Sequence, residues 1–590
     1  MRVVTLAAAT LLFSAAGAKK DDGGSSQYDF IVVGAGTAGL AVANRISEMK
    51  DFKVAIIEAG DSVLNNFNVS TVSGYGLAFG TEIDWAYQTK NQTYAGGSAQ
   101  IVRAGKAVGG TSTINGMSYT RAQSEQIDAL EQFGNQGWNW ESLLPYYKKS
   151  ERFQVPNSDQ VSRGADYYIK YHGDEGPVKV GWPKRLTPSD VLPVLDKTFH
   201  KLNISYNRDV NGGSMVGLTS HPNTVDSDAN VRQDSARSYY WPYEDRPNLK
   251  LITNTRVNRI IWSNKPNETV AIGVEVTGID RVYTIYAAKE VILSAGSLRS
   301  PGLLELSGVG NPDLLKSLNI PVMVNLSSVG ENLQDQTNNA LAYAGADVWF
   351  GSPTFSVLPS AKQIFGKEVS TIASMVSDRL EEYAKNVSEL SHGAVKADNV
   401  LEALKFQHEL IYKSQVPFAE IVMLPISNSF SSEYWTLLPF SRGSIHITSA
   451  DASVPAEIDP RYFMFDSDLS AQVAVAKFIR KAFGTTPLNT IVGLEFAPGL
   501  KTIPSNATDA TWQGWIERQY RSNFHPVGTA SMLPREKGGV VNSKLQVYGA
   551  RNVRVVDASI LPFQLCGHLT STLYAVAEKA ADIIKKDYAN

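Results

Sequence analysis

The sequence predicts an α/β fold in which a Rossmann-like dinucleotide-binding domain is joined to a further domain. Two observations predict it. A glycine-rich turn separates an apolar strand from a helix near the amino terminus, and a chain of 590 residues is long enough for two or more domains. Apolar residues make up 43% of the chain and charged residues 19%, as in a globular protein with a large core. The net charge of −3 gives no support for nucleic-acid binding.

The first eighteen residues have the pattern of a secretory signal peptide. Arg2 supplies the positive charge, Val3–Phe13 the apolar region and Ala16-Gly17-Ala18 the small-residue cleavage site. The alternative is a membrane anchor, but this apolar run is too short to span a bilayer, and no later stretch reaches spanning length. We therefore expect a secreted, extracellular protein with no membrane partner.

Secretion agrees with the glycosylation signals. Seven N-x-S/T sequons predict N-glycans on surface loops. They begin at Asn68, Asn91, Asn203, Asn267, Asn325, Asn386 and Asn506. The single cysteine, Cys566, excludes an intrachain disulfide.

The glycine-rich turn has the spacing G-x-G-x-x-G, and a helix is expected to begin near Thr37. In such turns the first glycine, Gly34, permits the tight bend, and the second, Gly36, lets a pyrophosphate approach the backbone. The third, Gly39, lets the helix pack on the strand. The pattern predicts a dinucleotide site, with an ordinary βαβ turn as the alternative, and does not distinguish NAD from FAD.

Two acidic residues follow apolar strands that we expect to join the same parallel sheet. Glu58 ends the strand Val54–Ile57 and has the spacing of a ribose ligand. Asp557 ends the strand Val553–Val556 near the carboxyl terminus. Parallel strands deliver such residues to one crevice. A second glycine-rich run, Arg103–Gly116, offers close backbone approach to a ligand, with Arg103 and Asn115 as polar anchors.

Two of the eight histidines, His525 and His568, lie at junctions between predicted elements. Imidazole is suited to proton transfer near neutral pH, so both are candidate catalytic residues. Metal binding is the alternative for a histidine pair, but no cluster of histidine, cysteine and carboxylate has ligand spacing, so no metal site is expected. The absence of a G-x-S-x-G turn argues against a serine hydrolase.

Five ordered motifs make the chain resemble the glucose–methanol–choline (GMC) flavin oxidoreductases over nearly its whole mature length. They are Gly34–Gly39 with Glu58, Arg103–Gly116, Gly296–Gly310, Val329–Asp335, and the pair His525 and His568. The resemblance implies FAD as cofactor and an α+β substrate domain with an antiparallel sheet. It implies an FAD-binding domain at 27–75, 98–125, 228–335 and 535–590, and a substrate-binding domain at 140–227 and 336–534.

The resemblance carries cofactor contacts onto matching positions of this sequence. These are Gly34, Gly36, Thr37, Ala38, Gly39, Glu58, Arg103, Gly109, Gly110, Thr111, Asn115, Gly116, Met117, Ser118, Val257, Asp557, Ala558, His568, Leu569 and Thr570. Many more distant relatives have a histidine after the Asn-Leu-Gln-Asp segment, where this chain has Gln336. The sequence alone gives that difference no function.

Within the family, the chain is most similar to fungal FAD-dependent glucose dehydrogenases, and next to glucose oxidase. The segments Gly74–Gly80, Arg103–Tyr119, Arg521–Thr529 and Cys566-Gly567-His568 favour the dehydrogenase. The resemblance implies that the C1 hydroxyl of β-D-glucose is oxidised to the 1,5-lactone by hydride transfer to flavin N5. His525 would be the general base, and His568 would orient the hydroxyl.

The sugar-binding positions implied by the resemblance are Tyr75, Glu433, Trp435, Arg521 and Asn523, together with both histidines. Arginine and asparagine donate to hydroxyls and glutamate accepts from them, so such a site rejects analogues that leave these groups unpaired. Glu420 is a weaker acidic candidate.

The resemblance also favours a quinone or artificial electron acceptor. The alternatives are a glucose oxidase, which produces H₂O₂, an aryl-alcohol oxidase, a lyase that retains FAD, and a non-catalytic flavoprotein.

Overall fold

The computed structural model describes residues 27–265 and 268–589. The expected signal peptide (1–18) and the sequon at Asn267 lie outside the described residues. The strands, numbered β1 to β23 in chain order, are Gln27–Val33, Val54–Ile57, Tyr87–Gln88, Ile101–Val102, Glu151–Phe153, Val178–Val180, Gly217–Ser220, Val225–Asp226, Val231–Arg232, Leu249–Ile252, Arg256–Trp262, Ala271–Thr277, Val282–Leu293, Val309–Gly310, Val324–Asn325, Thr337–Trp349, Phe355–Leu358, Ala419–Thr436, Ser444–His446, Glu457–Asp459, Val492–Ala497, Arg521–Ser522 and Val553–Val555.

The helices are numbered α1 to α16 in the same way. They are Thr37–Ile46, Phe67–Ser70, Ser124–Gln132, Trp140–Ser150, Ser158–Ser162, Val191–Lys201, Ser235–Tyr239, Ser300–Leu306, Pro312–Ser317, Ala361–Phe365, Val369–Ser377, Leu380–Leu390, Ala397–Tyr412, Asp466–Phe483, Asp509–Gln519 and Leu569–Tyr588. No helix in the described ranges is both long and apolar enough to cross a bilayer.

The predicted Rossmann-like region forms a seven-stranded sheet. Its order is β10-β2-β1-β13-β12-β11, with β23 beside β13. Strands β10, β2, β1, β13 and β23 pair in parallel, and β12 and β11 extend the sheet in antiparallel fashion. The register places Val33, Ile57, Leu293 and Val555 at one edge. Ligands of open α/β sheets bind at that carboxyl edge.

The local expectations for the first βαβ unit are confirmed. All four residues of β2 and the last four of β1 are buried, as an apolar run covered on both faces predicts. Helix α1 begins at Thr37 and ends at Ile46, and it packs beside α16, where Arg45 Nε lies 2.9 Å from Glu578 Oε2. The ends of the chain therefore meet in one layer.

A second sheet of six strands is antiparallel throughout, as expected for the substrate domain. Its order is β21-β16-β18-β17-β7, with β22 beside β16. Strand β18 folds back on itself. The residues that flank its two ends are hydrogen-bonded, since the Leu437 backbone N–H donates to Phe418 O at 3.0 Å. The division of the chain into domains at the stated boundaries stays a prediction.

Candidate active site

A cavity of about 760 Å³ lies between the carboxyl edge of the first sheet and the second sheet. Residues from both sheets and from the loops between them form its wall. The predicted site residues that line it are Gly34, Gly36, Thr37, Ala38, Glu58, Tyr75, Arg103, Gly110, Thr111, Asn115, Gly116, Met117, Ser118, Val257, Glu433, Trp435, Asn523, His525, Asp557, Ala558, His568, Leu569 and Thr570. Motifs more than five hundred residues apart in the sequence therefore line the same cavity.

Two glycine-rich loops meet at one end of this cavity. Gly34 has a φ of +101°, and a Cβ there would lie 2.5 Å from Ser294 O. Gly110 has a φ of +53°, and a Cβ there would lie 2.6 Å from Gly36 Cα. Only glycine therefore allows this approach, which leaves backbone rather than side chains facing the cavity.

Two helices begin at the cavity wall without a side-chain cap. They are α1, after Gly36, and the twenty-residue α16, after His568. The free N–H groups and positive dipole ends of such helices bind anions such as a pyrophosphate. Together with the two glycine loops, they fit the FAD that the resemblance implies.

The two predicted acidic ligands differ in how many protein groups donate hydrogen bonds to their carboxylates. Glu58 is buried and accepts from the backbone N–H groups of Ala35 (2.9 Å) and Gly60 (2.8 Å). Burial raises its pKa despite these donors. Asp557 accepts four hydrogen bonds, two of them from Gly296 N (2.9 Å) and the Ser300 hydroxyl (2.5 Å). The Asp557 side chain therefore links the ends of β13 and β23 through hydrogen bonds and stabilises this part of the cavity wall.

Arg103 and Asn115, the predicted polar anchors, also have protein partners. Arg103 Nη1 donates to Asp84 Oδ2 at 2.7 Å. Asn115 Nδ2 donates to Thr570 Oγ1 at 3.2 Å, and its Oδ1 accepts from Arg232 Nη1 at 2.6 Å. Asn115 thereby connects the second glycine loop to the first turn of α16.

Three predicted site residues do not line the cavity: Gly39, Gly109 and Arg521. Gly39 lies in α1, where a Cβ would meet Gly34 O at 2.1 Å, so it allows the helix to pack on the turn. The Gly109 N–H donates to Ala35 O at 2.8 Å and joins the two glycine loops. Arg521 is paired with Glu433, which does line the cavity.

The two candidate catalytic histidines lie at the other end of the cavity, with ring centroids 5.4 Å apart and planes at 87°. His525 follows β22, and its backbone N–H donates to the buried carboxylate of Asp335 at 3.0 Å. His525 Nδ1 lies 2.9 Å from Gln336 Oε1 and 3.1 Å from Asn523 Nδ2. Burial lowers the pKa of His525 to about 3, and His568 acts in the same direction, so the ring is neutral at ordinary pH.

His568 has a charged partner instead. Its Nε2 lies 3.2 Å from Glu420 Oε1, which also accepts from the Ser356 hydroxyl at 2.9 Å. Burial alone would raise the pKa of Glu420, but the neighbouring His568 lowers it overall, so this buried group is a carboxylate. The buried Trp435 contacts the His568 ring edge to face, with centroids 5.8 Å apart.

The predicted sugar-binding residues form a polar wall beside the histidines. Arg521 Nη2 lies 2.7 Å from Glu433 Oε2, and both side chains are about one-third exposed. The amide of Asn523 is bonded to Asn338 (2.9 Å) and Gln336 (3.2 Å). Tyr75 also lines the cavity, with its ring against Phe79.

Sequence reasoning missed several residues around the histidines. Gln336 had been noted only as a departure, and Glu420 only as a weaker sugar ligand. Asn338 and His221 carried no signal. The register of β16 with β18 and β22 brings Asn338 beside Asn523, and His221, which lines the cavity, follows β7. Val422, Leu424 and Ile426 of β18 form an apolar part of the cavity wall.

Comparison with known proteins places this geometry in one family. Residues 28–338 and 439–577 match the amino- and carboxyl-terminal models described as GMC oxidoreductase. The chain is 43% identical over 564 residues to a glucose oxidase-like protein of Humicola fuscoatra, covering 95% of each chain. It is 33% identical over 573 residues to a glucose oxidase of Aspergillus carbonarius, covering 95% of this chain and 93% of that one.

Solved structures show the same fold. A fungal aryl-alcohol oxidase superposes with a TM-score of 0.82 at 26% identity, covering 95% of this chain and 99% of that one. An FAD-dependent oxidoreductase from Chaetomium thermophilum superposes with a TM-score of 0.87 at 26% identity and the same coverage. The cofactor is therefore FAD, which agrees with the glycine loops and helix ends that line the cavity.

The meeting of the two glycine loops can be tested with Gly110→Ala. The added Cβ would collide with Gly36 and separate the loops, so we expect the purified protein to retain little FAD, measured by the ratio of flavin to protein absorbance. Gly366→Ala is the matched control, because Gly366 has a similar φ of +57° but no atom within 4 Å of the added Cβ. We expect it to cost about 1 kcal/mol of stability and to retain FAD. Equal FAD content in both variants would contradict the close-approach argument.

Proposed function

The chain belongs to the GMC oxidoreductase family, and from that premise we propose that it is a secreted, FAD-dependent glucose dehydrogenase. It would oxidise the C1 hydroxyl of β-D-glucose to glucono-1,5-lactone and pass the electrons to a quinone or an artificial acceptor. The observation that carries the proposal is the pair of facing histidines beside the polar wall of Glu433, Arg521 and Asn523.

The cofactor end of the site would be held mainly by backbone. Gly34, Gly36 and Gly110 with the start of α1 suit the pyrophosphate, and Glu58 suits the ribose. The start of α16 faces the cavity beside His568. When bound, FAD supplies the hydride acceptor for the carbon that carries the oxidised hydroxyl.

The remaining chemistry is proton handling and positioning. His525 Nε2 has no hydrogen-bond partner among the described residues, and the low pKa keeps that ring neutral. Nε2 can therefore accept the hydroxyl proton as general base. His568, held by Glu420, would orient the same oxygen through Nδ1. Glu420 fixes the ring of His568 through Nε2. The planes of the two histidine rings are at 87°, so the two rings can face the substrate from perpendicular planes.

The polar wall would recognise the remaining sugar hydroxyls. The Glu433 carboxylate can accept from a hydroxyl while it keeps its pair with Arg521, because a carboxylate has about four acceptor sites. Tyr75 and Trp435 add aromatic surface to the cavity. A ligand that lacks these hydroxyls leaves charged groups unpaired, which is the basis of strong discrimination.

Secretion and N-glycosylation are part of the proposal and rest on the sequence. The amino-terminal pattern supports secretion. Four of the sequon asparagines, Asn91, Asn203, Asn325 and Asn506, are exposed, and Asn68 and Asn386 are half-buried. All six are therefore at positions that a glycan could occupy without entering the core.

The base assignment can be tested with His525→Ala and His568→Ala under anaerobic glucose. Loss of a general base costs about 10²–10⁴-fold, so flavin bleaching in His525→Ala should slow by that factor and by more than in His568→Ala. His200→Ala, at an exposed position on α6, is the control and should bleach at the rate of the unaltered protein. If His525→Ala keeps that rate as well, His525 is not the base.

The acceptor is tested by parallel assays of the purified protein with glucose. We expect rapid turnover with a quinone and little H₂O₂ in air, because the segments around Gly74–Gly80 and Arg521–Thr529 resemble the dehydrogenases. The glucose oxidases among the relatives make the opposite outcome the main alternative. Rapid peroxide production would replace the dehydrogenase proposal by an oxidase.

A second candidate function is oxidation of an alcohol with an apolar body. The apolar part of the cavity wall formed by Val422, Leu424 and Ile426 favours it. We expect glucose to bleach the flavin anaerobically, and benzyl alcohol to do so much more slowly, because the aryl alcohol leaves Glu433 and Arg521 without hydroxyl partners. The reverse order would select the second candidate.

A further inference from the structure

We propose that Gln336 is a positioning residue that fixes the tautomer of His525, with the proton on Nδ1 and the lone pair on Nε2. This inference deepens the proposed function and rests on it for its effect on rate. A neutral imidazole can act as base only through the nitrogen that carries no proton. The neighbours of Nδ1 therefore decide whether Nε2 can accept a proton from the substrate.

The orientation of the Gln336 amide follows from a backbone acceptor. Gln336 is fully buried, and its Nε2 lies 2.9 Å from Leu437 O. A carbonyl only accepts, so this end of the amide is the NH₂ group. Oε1 must then be the atom that lies 2.9 Å from His525 Nδ1.

The orientation of Asn523 follows from a carboxylate at the far end of the same chain of amides. Asn338 Nδ2 lies 3.3 Å from Glu433 Oε2, so it is a donor, and it also donates to Asn523 Oδ1 at 2.9 Å. The Asn523 NH₂ group therefore faces Gln336 Oε1 at 3.2 Å and His525 Nδ1 at 3.1 Å. Leu437 O and Glu433 thus fix both amides from opposite sides.

Gln336 Oε1, His525 Nδ1 and Asn523 Nδ2 form a triangle in which Gln336 Oε1 is the acceptor. With the proton on Nδ1, His525 and Asn523 both donate to this oxygen. With the proton on Nε2, the lone pair of Nδ1 would face the lone pair of Oε1 at 2.9 Å, which is repulsive in a buried site. The Nδ1–H tautomer is therefore the favoured one, and it leaves Nε2 as the basic nitrogen.

The histidines differ in the charge of the group that holds each of them. A neutral amide oxygen holds His525, and a carboxylate holds His568. An amide fixes the tautomer without stabilising the protonated ring as a carboxylate would. Gln336 therefore keeps His525 neutral and oriented.

The test compares Gln336→Met with Gln336→Glu. Methionine keeps the length and removes the acceptor, so Asn523 becomes the only partner of Nδ1 and the proton moves to Nε2. A buried glutamic acid is driven towards its neutral form. It can then donate to Leu437 O and accept from His525 as the amide does. We expect Gln336→Met to slow anaerobic flavin reduction by about ten-fold or more from pH 5 to 8, and Gln336→Glu to recover most of that loss.

FAD content and the Kd for glucose should change little in either variant, because a tautomer change removes proton transfer rather than binding. Equal slowing in both variants, or a loss explained by FAD content or by Kd, would contradict the positioning role.

A second readout does not depend on activity. In protein labelled with ¹⁵N-histidine, the signals of His525 are those missing from His525→Ala. We expect its unprotonated nitrogen to be Nε2 in the unaltered protein and Nδ1 in Gln336→Met. A proton on Nε2 in the unaltered protein, or an unchanged tautomer in Gln336→Met, would overturn the inference. If glucose fails to bleach the flavin, the proposed substrate is wrong, but the NMR result still decides the tautomer.

Discussion

The proposed catalytic end of the cavity depends on two histidines whose ring centroids lie 5.4 Å apart and whose partners differ in charge. A neutral amide holds one ring, and a buried carboxylate holds the other. Neither partner lies near its histidine in the sequence. Gln336 precedes β16, His525 follows β22, and these strands pair with each other, whereas Glu420 on β18 reaches His568 at the start of α16. The antiparallel sheet therefore sets the geometry of a site whose cofactor loops belong to the parallel sheet.

Local sequence predicted the parts of the site that depend on backbone conformation. The spacing of the glycines in Gly34–Gly39 is enough to predict the turn, because tight bends and close backbone approaches require glycine wherever they occur. Helix α1 begins directly after Gly36, at the expected Thr37. The antiparallel second sheet followed from the family resemblance, since its strands carry no motif of their own.

Side-chain partners could not be predicted in this way. The contact of Asp557 with the cofactor stays a prediction, because the residue lines the cavity. That four protein donors occupy its carboxylate could not be told from the sequence. The sequence marked Gln336 only as a difference from relatives and did not mark Asn338, and their partners follow from the pairing of β16 with β18 and β22. That pairing also links the proposed sugar-binding wall to His525, the proposed general base, through Glu433, Asn338, Asn523 and Gln336. The proposed substrate-binding carboxylate and the proposed base are thus parts of one hydrogen-bonded chain.

The central claim is that a sugar hydroxyl lies between the two histidines while the other hydroxyls contact the polar wall. A crystal structure of the FAD-loaded protein with glucono-1,5-lactone tests it most directly. We expect the carbonyl oxygen at C1 within hydrogen-bond distance of His525 Nε2 and of His568, and the remaining hydroxyls on Glu433 and Arg521. A lactone bound against Val422, Leu424 and Ile426, with its C1 oxygen away from both histidines, would contradict the account.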